Sequence, residues 1–269
     1  MARLTSFLQW IGGQAGAFGM GTIGQWTITH RDYMLDLFEE LTGGRIYHMY
    51  IIPGGVRGDL PEGFEDRMEA LLVKIEKLLS EIDLAMFHNA VFKMRAEGLG
   101  GHHAGHDRSL RHHRARTPAQ PVSRGTSART SPTSATTSST SRSSPPRLRR
   151  LRARLQVRFQ EMYQSVSPDS ADHGAHPPTG TDPHEAAERA SLAHPAGQTW
   201  HRAECTRGEY GYYMVADGTI YPRRVYVRGP SYTHAIAVME KLAVGANIAD
   251  IASLMVSLHT YPPRSRGSE

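Results

Sequence analysis

The chain has 269 residues, enough for a sizeable core in one or two domains, and carries 31 Lys and Arg against 26 Asp and Glu, a net charge of +5. Lysine is missing between Lys93 and Lys241 while Arg, Ser, Thr, Pro and His crowd the middle, so the excess does not mark a basic face on a folded domain, and nucleic-acid binding is discounted. The single cysteine, Cys205, excludes a disulfide framework or an all-cysteine cluster within the chain, and no apolar run reaches the roughly 20 residues that span a bilayer.

Residues 1–10 carry an apolar stripe but no basic segment followed by a long apolar run, so no signal peptide is read there. Gly12, Gly13, Gly16, Gly19, Gly21 and Gly24 invite a phosphate-loop reading, yet no strand pattern leads in and no nucleotide fingerprint appears. Close helix packing is the better reading. Residues 35–61, LDLFEELTGGRIYHMYIIPGGVRGDLP, read as a helix end stopped at Thr42-Gly43-Gly44, then a β-rich run RIYHMYII broken by Pro53-Gly54-Gly55. Over 61–98, Phe64, Met68, Leu71, Leu72, Ile75, Leu78, Leu79 and Ile82 recur at helical spacing and predict one long helix, or two with a break. Pro61 suits its first turn, and Glu62, Glu65 and Asp66 suit the positive end of its dipole.

After Gly100 the text turns aliphatic-poor and low in complexity, and cannot repay the entropy of folding. Three readings compete: a metal tract at His102, His103, His106, His112 and His113, a disordered basic linker, and translation out of frame. The tract lacks acidic or thiol ligands apart from Asp107, so no tight metal site is expected. Ordered texture returns over 157–165, lapses over 167–194, and resumes near Pro195. There, runs at 210–215 and 219–227 flank Ala216-Asp217-Gly218 and predict a hairpin. Two helices follow, separated by Gly245, with Ser231 and Asn247 as caps.

The LFEELTGGR…PGGV…DLP run, the gapless WIGGQAGAFGMGTIGQWTITHRDYMLDLFEELTGG that contains its start, and ECTRGEYGYYMVADGTIYPRRVYVRGPSYTHAIAV resemble the 49 kDa (D) subunit family of respiratory complex I, including its relatives in F420H2 dehydrogenases. Residues 157–165 resemble that family's VRxxEMRQS helix. The resemblance implies an α+β, mainly helical fold like the large subunit of nickel-iron hydrogenases, with a C-terminal β-hairpin and a disordered, out-of-frame middle. It also implies that about a third of the family subunit precedes Met1. A one-nucleotide shift from Gly101 permits VITRAM…YGITGP, the text expected there, and favours the out-of-frame reading over the other two. The expected division is therefore 1–99 as the N-terminal helical part, 100–155 out of frame, 156–166 a core helix fragment, 167–194 out of frame, and 195–269 the C-terminal hairpin and helices.

The family function implied is electron transfer from reduced NAD, or F420 in the archaeal branch, to quinone with coupled ion translocation. NAD and iron–sulfur clusters would be held by partner subunits. This chain would form part of the quinone chamber, with the cluster-bearing subunit and the membrane arm as neighbours, peripheral on the cytoplasmic face of the inner (plasma) membrane. Arg45, Tyr47 and His48 match a run near the terminal cluster, with Tyr47 in the usual His position; Arg207 matches the [KR]GE near the buried site. Ala17 and Ile52 replace the family's Asp and Arg. The quinone-contacting His and Tyr of the family align before Met1, and one cysteine cannot supply the four thiolates of a hydrogenase centre. The alternatives are an inactive fragment of the subunit or a hydrogenase-related subunit, and the chain expressed alone is expected to be insoluble or molten.

Overall fold

The computed structural model describes residues 1–52, 55–97, 99, 151–166, 195–233 and 238–260. The expected out-of-frame text at 100–150 and 167–194, the histidine tract, and the Pro53-Gly54 pair lie outside the described residues.

Two helices, α1 (Ala2–Ala17) and α2 (Gly21–Thr42), form the first layer. Leu4, Phe7, Leu8, Ile11 and Ala15 recur every three or four residues along α1 and are buried. The two helices approach closely at glycine: a Cβ on Gly12 would stand 2.5 Å from Thr27 Oγ1, and one on Gly24 would stand 3.3 Å from the Gly12 carbonyl oxygen. The helix-packing reading of the glycines therefore holds at these two positions. Gly43 ends α2 with φ +74°, donating its N–H to the Glu39 carbonyl at 2.8 Å.

The run expected as a strand behaves otherwise. Only β1 (Ile51–Ile52) pairs, antiparallel with β2 (Gly55–Val56). Ile46, Tyr47 and Met49 stand 70% or more exposed, because among the described residues no neighbouring sheet offers this stretch a partner or a face to bury against.

The next segment forms two helices with a break. α3 (Phe64–Ile82) buries Phe64, Leu71, Ile75, Leu78, Leu79 and Ile82. A π-helical turn (Asp83–Phe87) interrupts it, and α4 (Ala90–Ala96) restarts where Asn89 Oδ1 accepts the Val91 N–H at 2.8 Å. Pro61 is not in the first turn. α3 starts after Gly63, whose φ of +67° breaks continuity with the preceding turn, so Pro61 and Glu62 lie outside the helix while Glu65 and Asp66 keep the acidic first turn.

The core helix expected over 156–166 is longer than that. α5 (Leu151–Val166) begins inside the segment expected to be coil. Leu151, Leu155, Phe159, Met162 and Val166 keep one helical period and are buried, so 151–155 belongs to the core.

The C-terminal block forms a three-stranded antiparallel sheet in the order β3 (Gly197–Cys205), β4 (Gly208–Ala216), β5 (Arg224–Arg228). The expected hairpin is β4–β5. Its second strand starts later than residue 219, since Asp217 Oδ1 accepts from the Thr219 backbone and hydroxyl and Pro222 has no N–H to donate to a ladder. β3 was not expected; it pairs along its whole length with β4, from Gly197↔Ala216 to Cys205↔Gly208. Trp200 lies across Gly211, where a Cβ would come within 2.7 Å of the indole. Helices α6 (Pro230–Thr233), α7 (Met239–Ala243) and α8 (Ile248–Ser257) follow. Ser231 sits inside α6 and does not cap it, because Pro230 already occupies the first helical position. Asn247 caps α8 as expected, its Oδ1 accepting from Ala249 N–H at 3.0 Å, and Gly245 takes φ +77° before it. α1 packs against α2, α5 and α8, so the first and last described helices share one helical body.

Candidate functional site

The structure separates the expected site residues into two groups. Arg45 lies along the exposed face of the second half of α2, with its guanidinium 2.5 Å from Asp36 Oδ1, 2.8 Å from Glu39 Oε2 and 2.5 Å from Asp32 Oδ1. These hydrogen bonds, Glu39 first, raise its pKa. His48 stacks on Phe38 with ring centroids 4.0 Å apart, its Nδ1 3.1 Å from the Gly44 carbonyl, and Tyr47 is 74% exposed.

Arg207 lies elsewhere, in the two-residue turn between β3 and β4. That turn meets the helical body at a cleft of about 160 Å³. One wall is the α1 face made by Ser6, Gln9, Trp10 and Gly13, which share a side at helical spacing. The opposite wall is the end of α8 and its continuation, Met255, Val256, His259 and Thr260. Arg45, Tyr47 and His48 do not line it.

Hydrogen bonds fix the walls to each other. Trp10 Nε1 donates to the Val256 carbonyl at 2.7 Å, and Thr206 Oγ1 donates to Ser6 Oγ at 3.2 Å. Ser6 Oγ in turn stands 3.4 Å from His259 Nε2. His259 adopts φ +54°, uncommon for a residue with a side chain, and packs its ring against Phe7 and Trp10 at 5.4 and 5.7 Å. It is 5% exposed, and its Nδ1 has no hydrogen-bond partner among the described residues. Burial, then the charges of Arg158 and Arg207, hold its pKa well below the usual imidazole value, so the ring is neutral at pH 7.

Behind the cleft lie two fully buried arginines that the sequence reading did not single out. Arg154 and Arg158 stand one turn apart on α5 and reach the end of α8. Burial lowers their pKa to about 10 and about 9, and Arg158 is further lowered by Arg154 and Arg207 while the Glu161 carboxylate opposes the shift. Two arginines four apart among the apolar residues of a helix were a readable signal; His259 carried none, because its backbone conformation is set by tertiary packing. The arrangement can present a cation, a neutral imidazole and hydroxyls to a small oxygen-bearing group in a partly apolar cleft.

Among the described residues no group of three or more His, Cys, Asp or Glu is placed to hold a metal ion, and no helix is long and apolar enough to cross a membrane.

The sequence profile of the respiratory-chain NADH dehydrogenase 49 kDa subunit matches residues 17–108 and 183–264. The D subunit of the F420H2 dehydrogenase of Methanosarcina mazei is 31% identical over 268 residues, covering 96% of this chain and 69% of that protein. The D subunit of the NADH-quinone oxidoreductase of Thermosipho melanesiensis is 31% identical over 286 residues, covering 98% of this chain and 72% of the relative. A chain of the membrane-bound sulfane sulfur reductase, an archaeal respiratory membrane complex, superposes with a TM-score of 0.84 at 30% identity, over 97% of this chain and 71% of that one. With a profile match over both its helical and its sheet-bearing parts, the chain belongs to the family of the 49 kDa subunit of respiratory-chain NADH dehydrogenase.

Proposed function

We propose that this chain is a subunit of a membrane-bound dehydrogenase complex that passes electrons from NADH or F420H2 to quinone with coupled ion translocation, and that it supplies part of the wall of the quinone chamber. The observation that carries this reading is the placement of Arg207: the turn Thr206-Arg207-Gly208-Glu209, in the motif the family resemblance singles out, closes a cleft against α1 and the end of α8. A quinone head needs hydrogen-bond donors in an otherwise apolar pocket, and Arg207, Ser6 and Thr260 beside Trp10, Met255 and Val256 supply that chemistry.

Quinone is here a substrate. With one cysteine the chain has no ligand set for an iron–sulfur cluster, which fits clusters and NAD being held by partner subunits. The exposed Tyr47, with His48 and Arg45 beside it, forms a face suited to the cluster-bearing neighbour. The fold is of the hydrogenase large-subunit type, and this subunit lies peripherally on the cytoplasmic face of the inner (plasma) membrane. The chain divides into 1–99, 151–166 and 195–269, with out-of-frame text over 100–150 and 167–194.

Purification of the tagged chain from membranes that also express its partner subunits tests this. The expected result is a complex that reduces a short-chain quinone with NADH or with F420H2. Recovery of the chain without flavin- and iron–sulfur-bearing partners, or of a complex that reduces quinone with neither donor, would overturn it.

A further inference from the structure

The end of α8 is held from behind by a fork of buried cations. Arg158 Nη1 donates to the Ser257 carbonyl at 2.7 Å and Nη2 to the Leu258 carbonyl at 3.3 Å. Arg154 Nε and Nη2 donate to Ser257 Oγ at 3.2 and 3.0 Å, and that hydroxyl donates to the Leu254 carbonyl at 2.6 Å. The last carbonyls of a helix have no partners within the helix and carry its negative dipole end, so cations are favoured there. Two guanidiniums one turn apart repel, and both are fully buried, with the buried Glu161 carboxylate offsetting only part of that cost at Arg158. Such an arrangement is costly for the fastening of one short helix.

What it fastens is the cleft. Residue 259 follows the two carbonyls that Arg158 binds, and its left-handed backbone, with N–H donated to Val256 O at 2.9 Å, turns His259 and Thr260 toward Ser6 and Arg207. The Arg158 guanidinium also lies over the Trp10 ring at 5.0 Å, behind the wall that Trp10 gives the cleft. Arg158 itself does not line the cleft.

We propose that Arg158, supported by Arg154, is a positioning residue: by gripping the Ser257 and Leu258 carbonyls and backing Trp10, it sets the turn that carries His259 and Thr260 into the cleft beside Arg207. The step from positioning to quinone turnover rests on the function proposed above. The grip on His259 does not.

Two readouts in the assembled complex keep these apart. The first is the rate at which diethyl pyrocarbonate modifies His259, followed by mass spectrometry of its peptide, which needs no turnover. R158M is expected to raise that rate about tenfold over the wild type, with R154M and S257A raising it less and R158K intermediate, since a lysine replaces the planar fork by a single point donor. The second is steady-state quinone reduction, where R158M is expected to raise KM for a short-chain quinone about tenfold with a smaller change in kcat. Unchanged His259 reactivity in R158M overturns the proposal, as does altered reactivity with KM at the wild-type value in a complex that turns over quinone. A wild-type complex without quinone reduction defeats the functional reading alone, and the His259 rates then decide the positioning role. Should R158M fail to assemble, R154M and S257A decide it, and wild-type rates in both overturn it.

Discussion

At residue scale, two positions carry forces that single substitutions can expose. A methyl at Gly12 would stand 2.5 Å from the hydroxyl of fully buried Thr27, which is itself tied to the Gly24 carbonyl at 2.8 Å and cannot yield easily. Gly12→Ala should therefore destabilise by about 1–3 kcal/mol through overpacking. Gly16, on the same helix, where an added methyl would meet nothing within 4 Å among the described residues, should do the opposite: Gly16→Ala gains about 0.5–1 kcal/mol from helix propensity. Thermal inactivation midpoints of the two variants in the assembled complex, moving in opposite directions, check this pair. His259 sets a pH dependence. Its folded pKa lies well below the unfolded value of about 6.5, so below that pH the unfolded chain binds a proton the folded chain refuses. Stability is then fully present above about pH 7 and falls as pH drops, by up to about 1.4 kcal/mol per unit below pH 6.5. His259→Asn, which tolerates the left-handed backbone, should flatten that part of the curve. An identical pH slope in wild type and variant would show that another group titrates.

At the scale of elements, α2 carries Asp32, Asp36 and Glu39 along one exposed side, and Arg45 folds back from beyond the helix end to meet all three. Removing that cation leaves like charges three and four residues apart, which repel through poorly screened solvent at low salt. Arg45→Gln should lower the melting temperature at low salt, on the order of 20 mM, and the gap to wild type should shrink by about 500 mM; a deficit independent of salt would point instead to lost packing of the arginine stem. The same element shows what was legible in sequence. The helix and its Gly43 stop were, because periodic burial and a left-handed cap are local facts. The strand over 45–52 was misread, since β-branched and aromatic content says nothing about whether a sheet stands nearby to receive it. β3 was missed for the complementary reason: Gln198, His201, Arg202 and Glu204 give it little strand character of its own, and its nine-residue pairing with β4 makes it a strand. Of the expected site, Arg207 was readable from its motif, whereas its place beside Ser6 and Trp10 joins residues about 200 positions apart and depends on the closed fold.

For the whole molecule, the body is assembled from distant segments. Leu151 N–H donates to the Leu99 carbonyl at 2.9 Å, so α5 enters the core directly beside the end of the N-terminal part, and α8 closes onto α1. This bears on the text between. From Leu151 onward the apolar period of α5 runs unbroken to Val166 and its arginines serve the end of α8, so the sequence from 151 is consistent with the rest of the fold at every level of packing. An out-of-frame reading must therefore end before codon 151 and not near 155. The family model leaves 109–182 unmatched, α5 among them, and the packing of that helix places it in the core. The expected outcome of sequencing the gene is that one single-base change near codon 100 and a second before codon 151 yield continuous family-like text, beginning with VITRAM…YGITGP and running without a gap into Leu151. A second pair of changes between codons 167 and 195 should do the same for the segment after α5. An undisturbed frame throughout, or corrected text that fails to join α5 in register with Leu151, Leu155 and Phe159 on one face, would show that the middle of the chain is a true insertion and that α5 was recruited from it.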